Sequence, residues 1–430
     1  MVNLDPLKKA AHQHPNKTAL IYNKKIFSYQ KLYQSILNIT TTLINSYPEK
    51  KIALAIKDPL NMLLCIFACQ YAQKECFLLN HNLKDYNKTL LQKFNITTTL
   101  TTCPKETLST IQTYTITKNS TINLFTSGST GQPKCVIHTP KQFIYSAKAV
   151  NKATNFSTSN QWLLCLPLFH VAGLAIVFRS FVAAAQIIID QPIKSTQAYT
   201  HISLVTKQLK DYINTTTPST LKCILLGGSG LSQDLQQQSL HHNLPLYKSY
   251  GCTETASAIS IEKINAAQTK SSGHCLPHAT ISINNSIIHI KSKSLCNGYL
   301  YPPNTKKPIK NNVLITKDAG YLTPDNKLVI KDRIDQTIIL NGENINLSLL
   351  ESTLNQLPEI NQVYIIDITI ETTPKIIAFI TPTTTLTKAT QVIKHYIKST
   401  FSTLYLPALF LKYPNLEQIK PNIALLKQLA

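Results

Sequence analysis

The stretch Asn123-Leu124-Phe125-Thr126-Ser127-Gly128-Ser129-Thr130-Gly131-Gln132-Pro133-Lys134 gathers more chemistry than any other part of this chain. An apolar run opens into four hydroxyls, two glycines and a lysine. Such a loop can turn backbone N–H groups, hydroxyl donors and one ammonium toward the oxygens of a polyphosphate. It is not a Walker A loop, because Gly131 is followed by Gln132-Pro133 and not by a lysine with a serine or threonine. The bland alternative is a flexible linker. Against it, Lys134 runs straight into the strand-like Cys135-Val136-Ile137-His138. Glycine is scarce elsewhere: there are 11 in 430 residues, and none precedes Gly128. In such a chain a glycine marks backbone that needs positive φ or a close approach. Gly298 and Gly320 are read as ordinary turn residues instead.

The elements that must position this loop follow from apolar periodicity. The Asn-Lys-Lys between two apolar runs in 17–31 predicts a hairpin, and Ser28 can cap the helix after it. Residues 51–56 read as a buried strand and 59–73 as a helix apolar all round. Strand-like segments recur at 135–138, 162–166, 186–189, 201–205 and 222–226, with helical stretches between. That alternation predicts a layered α/β domain with mainly parallel sheet. From 273 to 332 the texture shifts to short strands, at 279–283, 286–291, 312–316 and 327–331, as in a small antiparallel barrel or meander. A compact α+β unit follows, with strands at 336–340, 362–370 and 374–381 and helices at 347–357 and 386–398. The predicted domains are 1–334 and 335–430.

With these motifs in order, the chain resembles the adenylate-forming superfamily of acyl-CoA ligases, adenylation domains and luciferases. Thr126 to Lys134 stands as its phosphate loop, and Pro167-Leu168-Phe169-His170 with Gly173 as its P-x-F-H-x-x-G segment. Gly227-Gly228-Ser229-Gly230 follows the strand beside the nucleotide and acyl group. Tyr250-Gly251-Cys252-Thr253-Glu254 matches Y-G-x-T-E, and Lys317-Asp318-Ala319-Gly320 the segment usually written T-G-D-x-G. Asp332-Arg333-Ile334-Asp335 matches the hinge and Gly342-Glu343-Asn344-Ile345 the stretch beyond it. Lys317 and Asp332 stand where glycines are usual. Under the resemblance, ATP is held by Thr126, Ser127, Gly128, Ser129, Thr130, Gly131, Lys134, Gly228, Ser229, Tyr250, Gly251, Thr253, Asp318 and Arg333. Tyr250 offers a flat π face to adenine. Asp318 can accept from ribose hydroxyls. Glu254 gives Mg²⁺ a hard oxygen, and Thr253 can donate to the α-phosphate. Arg333 is one of two arginines, which suits a bidentate or permanently charged role.

The implied reaction is attack of a carboxylate on the α-phosphorus of MgATP, followed by displacement of AMP by coenzyme A. Positioning and cationic stabilisation dominate such phosphoryl chemistry. Thr130, Glu254 and His170 are the implied catalytic groups, together with a C-terminal lysine. Lys420 is the candidate, with Lys412 and Lys427 as rivals, because the usual preceding glycine is absent and Pro421 follows. Asp335 is the implied hinge, about which the small domain would rotate between half-reactions.

Within the superfamily, Gly173–Ser180 and Thr200–Val205 look like the 2-succinylbenzoate–CoA ligases of menaquinone biosynthesis. The implied acid-binding residues are His170, Arg179, Ser203, Gly227 and Gly228. Arg179 lies in an apolar run and needs an anionic or carbonyl partner. Either the second carboxylate of a diacid or the protein's own carbonyls and carboxylates would serve, and the latter is the simpler reading. Rival functions are a medium-chain or aromatic acyl-CoA ligase, a carrier-loading adenylation module, and a catalytically weak homologue acting as a binding protein.

Composition narrows the classes further. Hydrophobic residues at 43% exclude a disordered chain. The net charge of +22 rests on 43 Lys+Arg against 21 Asp+Glu, with lysine supplying all but two of the cations. A nucleic-acid binder would invest in arginine, so none is expected as partner. Ten scattered cysteines lack metal-ligand spacing and predict a reducing, cytoplasmic setting. No apolar leader or clean membrane span is found in the sequence. The expected partners are a small carboxylic acid, ATP and coenzyme A, with a homodimer left open.

Overall fold

A computed structural model describes residues 4–107, 114–117, 120–127, 133–190, 198–215, 217–228, 230–265, 270–300, 309–334, 337–340, 343–370, 373–414, 426, 427 and 429. Two sheets with parallel centres form the body of the first domain. In the six-stranded sheet the order is Gly298–Leu300, Pro133–His138, Thr121–Ser127, Glu75–Leu78, Lys51–Leu54 and Thr98–Leu100. The nine-stranded sheet runs His274–Cys275, Ser257–Lys263, Leu246–Cys252, Cys223–Leu226, His201–Leu204, Gln161–Leu164, Gln186–Ile189, Thr18–Tyr22 and Lys25–Ser28. Its central strands His201–Leu204 and Cys223–Leu226 are buried along their whole length. Parallel strands covered on both faces require this continuous apolar run.

Helices fill the space between the sheets. Tyr29–Ser46, Pro59–Tyr71, Pro140–Ala153 and Val171–Ala183 contribute to one core, in which Phe143 stacks on Phe178 at 4.8 Å and Phe67 meets Phe181 at 5.1 Å. Their starts are written locally. Ser28 Oγ accepts from Lys31 N, and Asp58 Oδ1 accepts from Asn61 N at 2.8 Å with Pro59 next to it. Thr139 and Gln142 form a capping box before Pro140–Ala153. Asn23 and Lys24 at φ 48° and 63° make the predicted hairpin turn.

An antiparallel sheet of five strands follows: Ala279–Asn284, Ile287–Ser292, Val313–Leu322, Ile309–Lys310 and Leu328–Arg333. Val313–Leu322 outruns the predicted 312–316, and Gly320 is not a turn residue. It sits inside this strand beside a register shift, where a Cβ would lie 2.4 Å from Val329 O. A bulge with close backbone approach, not a reversal, requires the glycine.

The C-terminal unit begins with the hairpin Thr337–Leu340 and Glu343–Asn346. Helices Leu347–Leu354 and Leu386–Thr400 pack on the sheet Ile360–Ile370, Thr373–Pro382 and Leu409–Lys412 through Leu350, Ile376 and Ile393. The first of these helices stops short of the predicted 357, ahead of Pro358. Lys210 Nζ donates to Asn355 O at 2.9 Å, tying this unit to the first domain. No helix among the described residues is long and apolar enough to cross a membrane.

Candidate active site

The arms of the phosphate loop are Thr121–Ser127 and Pro133–His138, antiparallel neighbours in which Thr126 faces Lys134 across the ladder. Gly128, Ser129, Thr130 and Gly131 lie outside the described residues, as do Ser229, Asp335 and Lys420. Ser127 is described in its backbone alone.

Strand Leu246–Cys252 carries the acidic motif to the end of the other sheet. Its register shifts between Tyr250 and Gly251, and a Cβ on Gly251 would lie 2.1 Å from Ser257 O. That closeness permits the tight 3₁₀ turn Thr253–Thr255, which ends with Ala256 at φ 51°. The carbonyls of the turn are pinned in succession. Thr253 O accepts from His138 Nε2 at 2.7 Å, Glu254 O from Cys296 N at 2.8 Å and Thr255 O from Ser294 Oγ at 2.8 Å. The Glu254 side chain accepts at Oε1 from Tyr299 Oη, 2.9 Å away.

Among the described residues no lysine or arginine pairs with Glu254. Its charge is felt nearby all the same. Burial first, and Glu254 second, push the Cys296 thiol up to about 12, hold the Cys252 thiol well above its ordinary range and raise the Tyr299 phenol further still. A carboxylate facing neutral donors and no cation suits a metal ion. No group of three or more His, Cys, Asp or Glu able to hold a metal occurs among the described residues. Mg²⁺ fits that donor set, because it takes one or two carboxylates and completes its shell with phosphate and water.

Asp318 is a hub of side-chain contacts. It lies 8% exposed on Val313–Leu322, directly across the ladder from Arg333. Tyr250 Oη donates to Oδ2 at 2.5 Å, and Arg333 Nη1 donates to Oδ1 at 2.9 Å. An ionised carboxylate has about four lone-pair sites, so both oxygens keep capacity for two hydroxyls. Tyr250 is itself 9% exposed and part of the antiparallel sheet's core. Its phenol is held protonated by burial and by the charge of Asp318.

Of the residues expected to bind the acid, Gly228 takes φ 92°, and a Cβ on Gly227 would lie 3.2 Å from Ser249 Oγ. His170 caps the start of Val171–Ala183, with its ring 4.7 Å from Phe169. Ser203 is buried in its strand and accepts from Trp162 Nε1 at 3.2 Å. Arg179 is 2% exposed. Its guanidinium lies 5.0 Å over the Trp162 ring, and Nη2 donates to Ser257 Oγ at 2.9 Å. Nε has no partner, and no carboxylate among the described residues pairs with this cation. The expected carbonyl or carboxylate of the protein is therefore replaced by a hydroxyl and an indole face.

Tyr250, Asp318 and Arg333 thus meet directly, and Glu254 is joined to the phosphate-loop sheet through Tyr299 and His138. Sequence reasoning missed those last two. The only trace of Tyr299 was its place after Gly298, and of His138 its place at the end of a predicted strand.

Residues 114–299 match the family model described as AMP-binding enzyme. The 2-succinylbenzoate–CoA ligase of Staphylococcus epidermidis (strain ATCC 35984) is 28% identical over 376 residues, 79% of each chain. That of Bacillus cereus (strain AH820) is 27% identical over 412 residues, covering 84% of this chain and 85% of its own. Among solved structures, E. coli MenE with bound OSB-AMS superposes with a TM-score of 0.83 at 23% identity, covering 100% of this chain and 99% of that one. The O-succinylbenzoate coenzyme A synthetase of Bacillus subtilis, in complex with ATP and magnesium ion, gives 0.80 at 22% identity and 96% of each chain.

Proposed function

We propose that the chain is an AMP-binding enzyme of the adenylate-forming superfamily that converts 2-succinylbenzoate to 2-succinylbenzoyl-CoA through an acyl-adenylate. The observation that carries the nucleotide half is the Asp318 carboxylate, bracketed by Tyr250 and Arg333 with lone pairs to spare. The ribose hydroxyls donate to it, and adenine lies against what remains open of the Tyr250 face. Mg²⁺ on Glu254 supplies charge that neutralises the ATP phosphates. Thr126, Lys134 and the loop residues Ser127 to Gly131 hold those phosphates in line, and Thr253 donates to the α-phosphate. The acid carboxylate then attacks the α-phosphorus and pyrophosphate leaves. Lys420 balances the growing negative charge in this step, and coenzyme A displaces AMP after the small domain turns about Asp335.

The substrate identity draws on the curated relatives and on Arg179. A buried cation lacking an anionic partner supports a second carboxylate on the acid, seated toward Ser257. His170, Ser203, Gly227 and Gly228 would supply the remaining contacts to the acid. The ten free cysteines support action in a reducing cytoplasm. The test is exchange of labelled pyrophosphate into ATP, run with 2-succinylbenzoate, benzoates and fatty acids, with the coenzyme A product weighed by mass spectrometry. Exchange fastest with 2-succinylbenzoate, and at most slow with monocarboxylic acids such as benzoate, supports the proposal. Preference for a monocarboxylic acid overturns the substrate, and exchange with none overturns the reaction.

A further inference from the structure

Strand Pro133–His138 begins at the phosphate loop and ends at His138, whose ring reaches across to the other sheet. Nε2 faces the carbonyl of Thr253 at 2.7 Å, so it must carry the proton and donate. The ring is wholly buried, and Nδ1 has no partner. Burial draws its pKa down to about 4, which keeps it neutral and in that tautomer at working pH. The adjacent strand Gly298–Leu300 pairs with the same strand, Tyr299 lying opposite Val136. From there the Tyr299 hydroxyl reaches Glu254 Oε1 at 2.9 Å. Tyr299 is 7% exposed, and its ring packs in a small core with Val136 and Cys296.

One strand pair of the phosphate-loop sheet therefore grips the acidic turn twice, once by backbone and once by side chain. The turn sits at the end of the other sheet, so nothing in its own ladder fixes it relative to the loop. A glutamate has several rotatable bonds. Filling Oε1 with a fixed donor leaves a chosen rotamer and directs the remaining lone pairs outward. Two-point attachment of this kind is what holds a metal ligand within a fraction of an ångström of its productive position relative to a phosphate site.

We propose that Tyr299 and His138 are positioning residues: they set the Glu254 carboxylate relative to the strand pair that carries the phosphate loop, as a metal–triphosphate complex requires. This rests on the reading of Glu254 as the metal's carboxylate, and it extends that reading to residues that touch neither metal nor nucleotide.

The test separates metal-dependent from metal-free binding. The full chain and its Tyr299→Phe variant are titrated with AMP by calorimetry in EDTA, and with Mn²⁺·ATP by electron paramagnetic resonance of free Mn²⁺. Loss of a hydrogen bond to a charged group is expected to weaken Mn²⁺·ATP about tenfold while AMP affinity stays within about twofold. His138→Gln, whose amide can replace the Nε2 donor, is expected to keep Mn²⁺·ATP affinity near wild type, and His138→Leu to lose it as Tyr299→Phe does. Equal loss of AMP and Mn²⁺·ATP affinity, or no loss of either, overturns the proposal and leaves a purely structural role. If the unmodified chain binds AMP but shows no gain from Mn²⁺, the reading of Glu254 itself fails.

Discussion

Replacing Arg179 by methionine separates stability from specificity. Burial pulls the guanidinium pKa from 12.5 down to about 10. At about 1.4 kcal/mol per pKa unit, that is a desolvation penalty of about 3 kcal/mol. Against it stand the bond to Ser257 Oγ, worth about 1.5–3 kcal/mol for a charged donor, and the Trp162 face, worth about 1–2 kcal/mol. The terms nearly cancel, so Arg179→Met should change unfolding free energy by less than about 1.5 kcal/mol. Binding of a diacid is another matter, because truncating one partner of a buried charge pair costs about 2–5 kcal/mol. The KM for 2-succinylbenzoate should therefore rise about 30-fold or more, while the slow reaction with a monocarboxylic acid such as benzoate keeps its KM. Steady-state coenzyme A ligation with both acids, beside urea unfolding, reads the two quantities separately. Equal KM changes for both acids, or an unfolding free energy lowered by several kcal/mol, would show the arginine to be a structural group.

Lys420→Ala should cut pyrophosphate exchange sharply yet spare thioester formation from supplied acyl-adenylate; survival of both half-reactions would place the adenylation role on another lysine. Asp318→Asn removes the charge and replaces one of the two acceptor oxygens by an NH2 donor, so that one of Tyr250 and Arg333 loses its acceptor, and calorimetry should show AMP affinity falling about 10- to 100-fold, the span of about 1.5–3 kcal/mol per bond to a charged group. Wild-type affinity would remove Asp318 from the ribose site. His138, His201 and His278 are each lowered by burial from 6.5 to about 4. They stay neutral when folded and gain protons on unfolding between those values. The unfolded state then binds more protons, and stability falls as pH is lowered through the window, by up to about 3 kcal/mol per histidine. Glu351, raised by burial to about 7, acts in the opposite sense and offsets about one of them. Urea midpoints at pH 7.5 and 4.5 check the sum, and equal midpoints would contradict it.

What could be read beforehand follows a physical line. Buried parallel strands such as Cys223–Leu226 and His201–Leu204 announce themselves, because burial on both faces demands apolar runs. The strands Gly298–Leu300 and Leu409–Lys412 were not foreseen, being too short to show a period. Gly320 misled because a glycine beside an aspartate reads as a turn, whereas close approach across a ladder leaves the same trace. Motif order singled out Asp318, Glu254 and Tyr250. It said nothing of which side chains would hold them, since Tyr299 is 45 residues from Glu254 along the chain. Arg179 shows the same limit: it lies on a helix, its Trp162 and Ser257 neighbours lie on two separate strands, and only packing brings them together.

The rung joining Asp318 to Arg333 is the final one before the chain departs for the C-terminal unit, whose first strand starts at Thr337. On the proposed reading of Asp318, the sugar seat and the start of the link to the C-terminal unit therefore share a doorpost. On that reading, a compound mimicking nothing more than the ribose would meet the carboxylate that this guanidinium holds, next to the link to the small unit. Inhibitor chemistry aimed at this corner could accordingly be scored by how firmly it fixes the small unit, as well as by how well it displaces nucleotide.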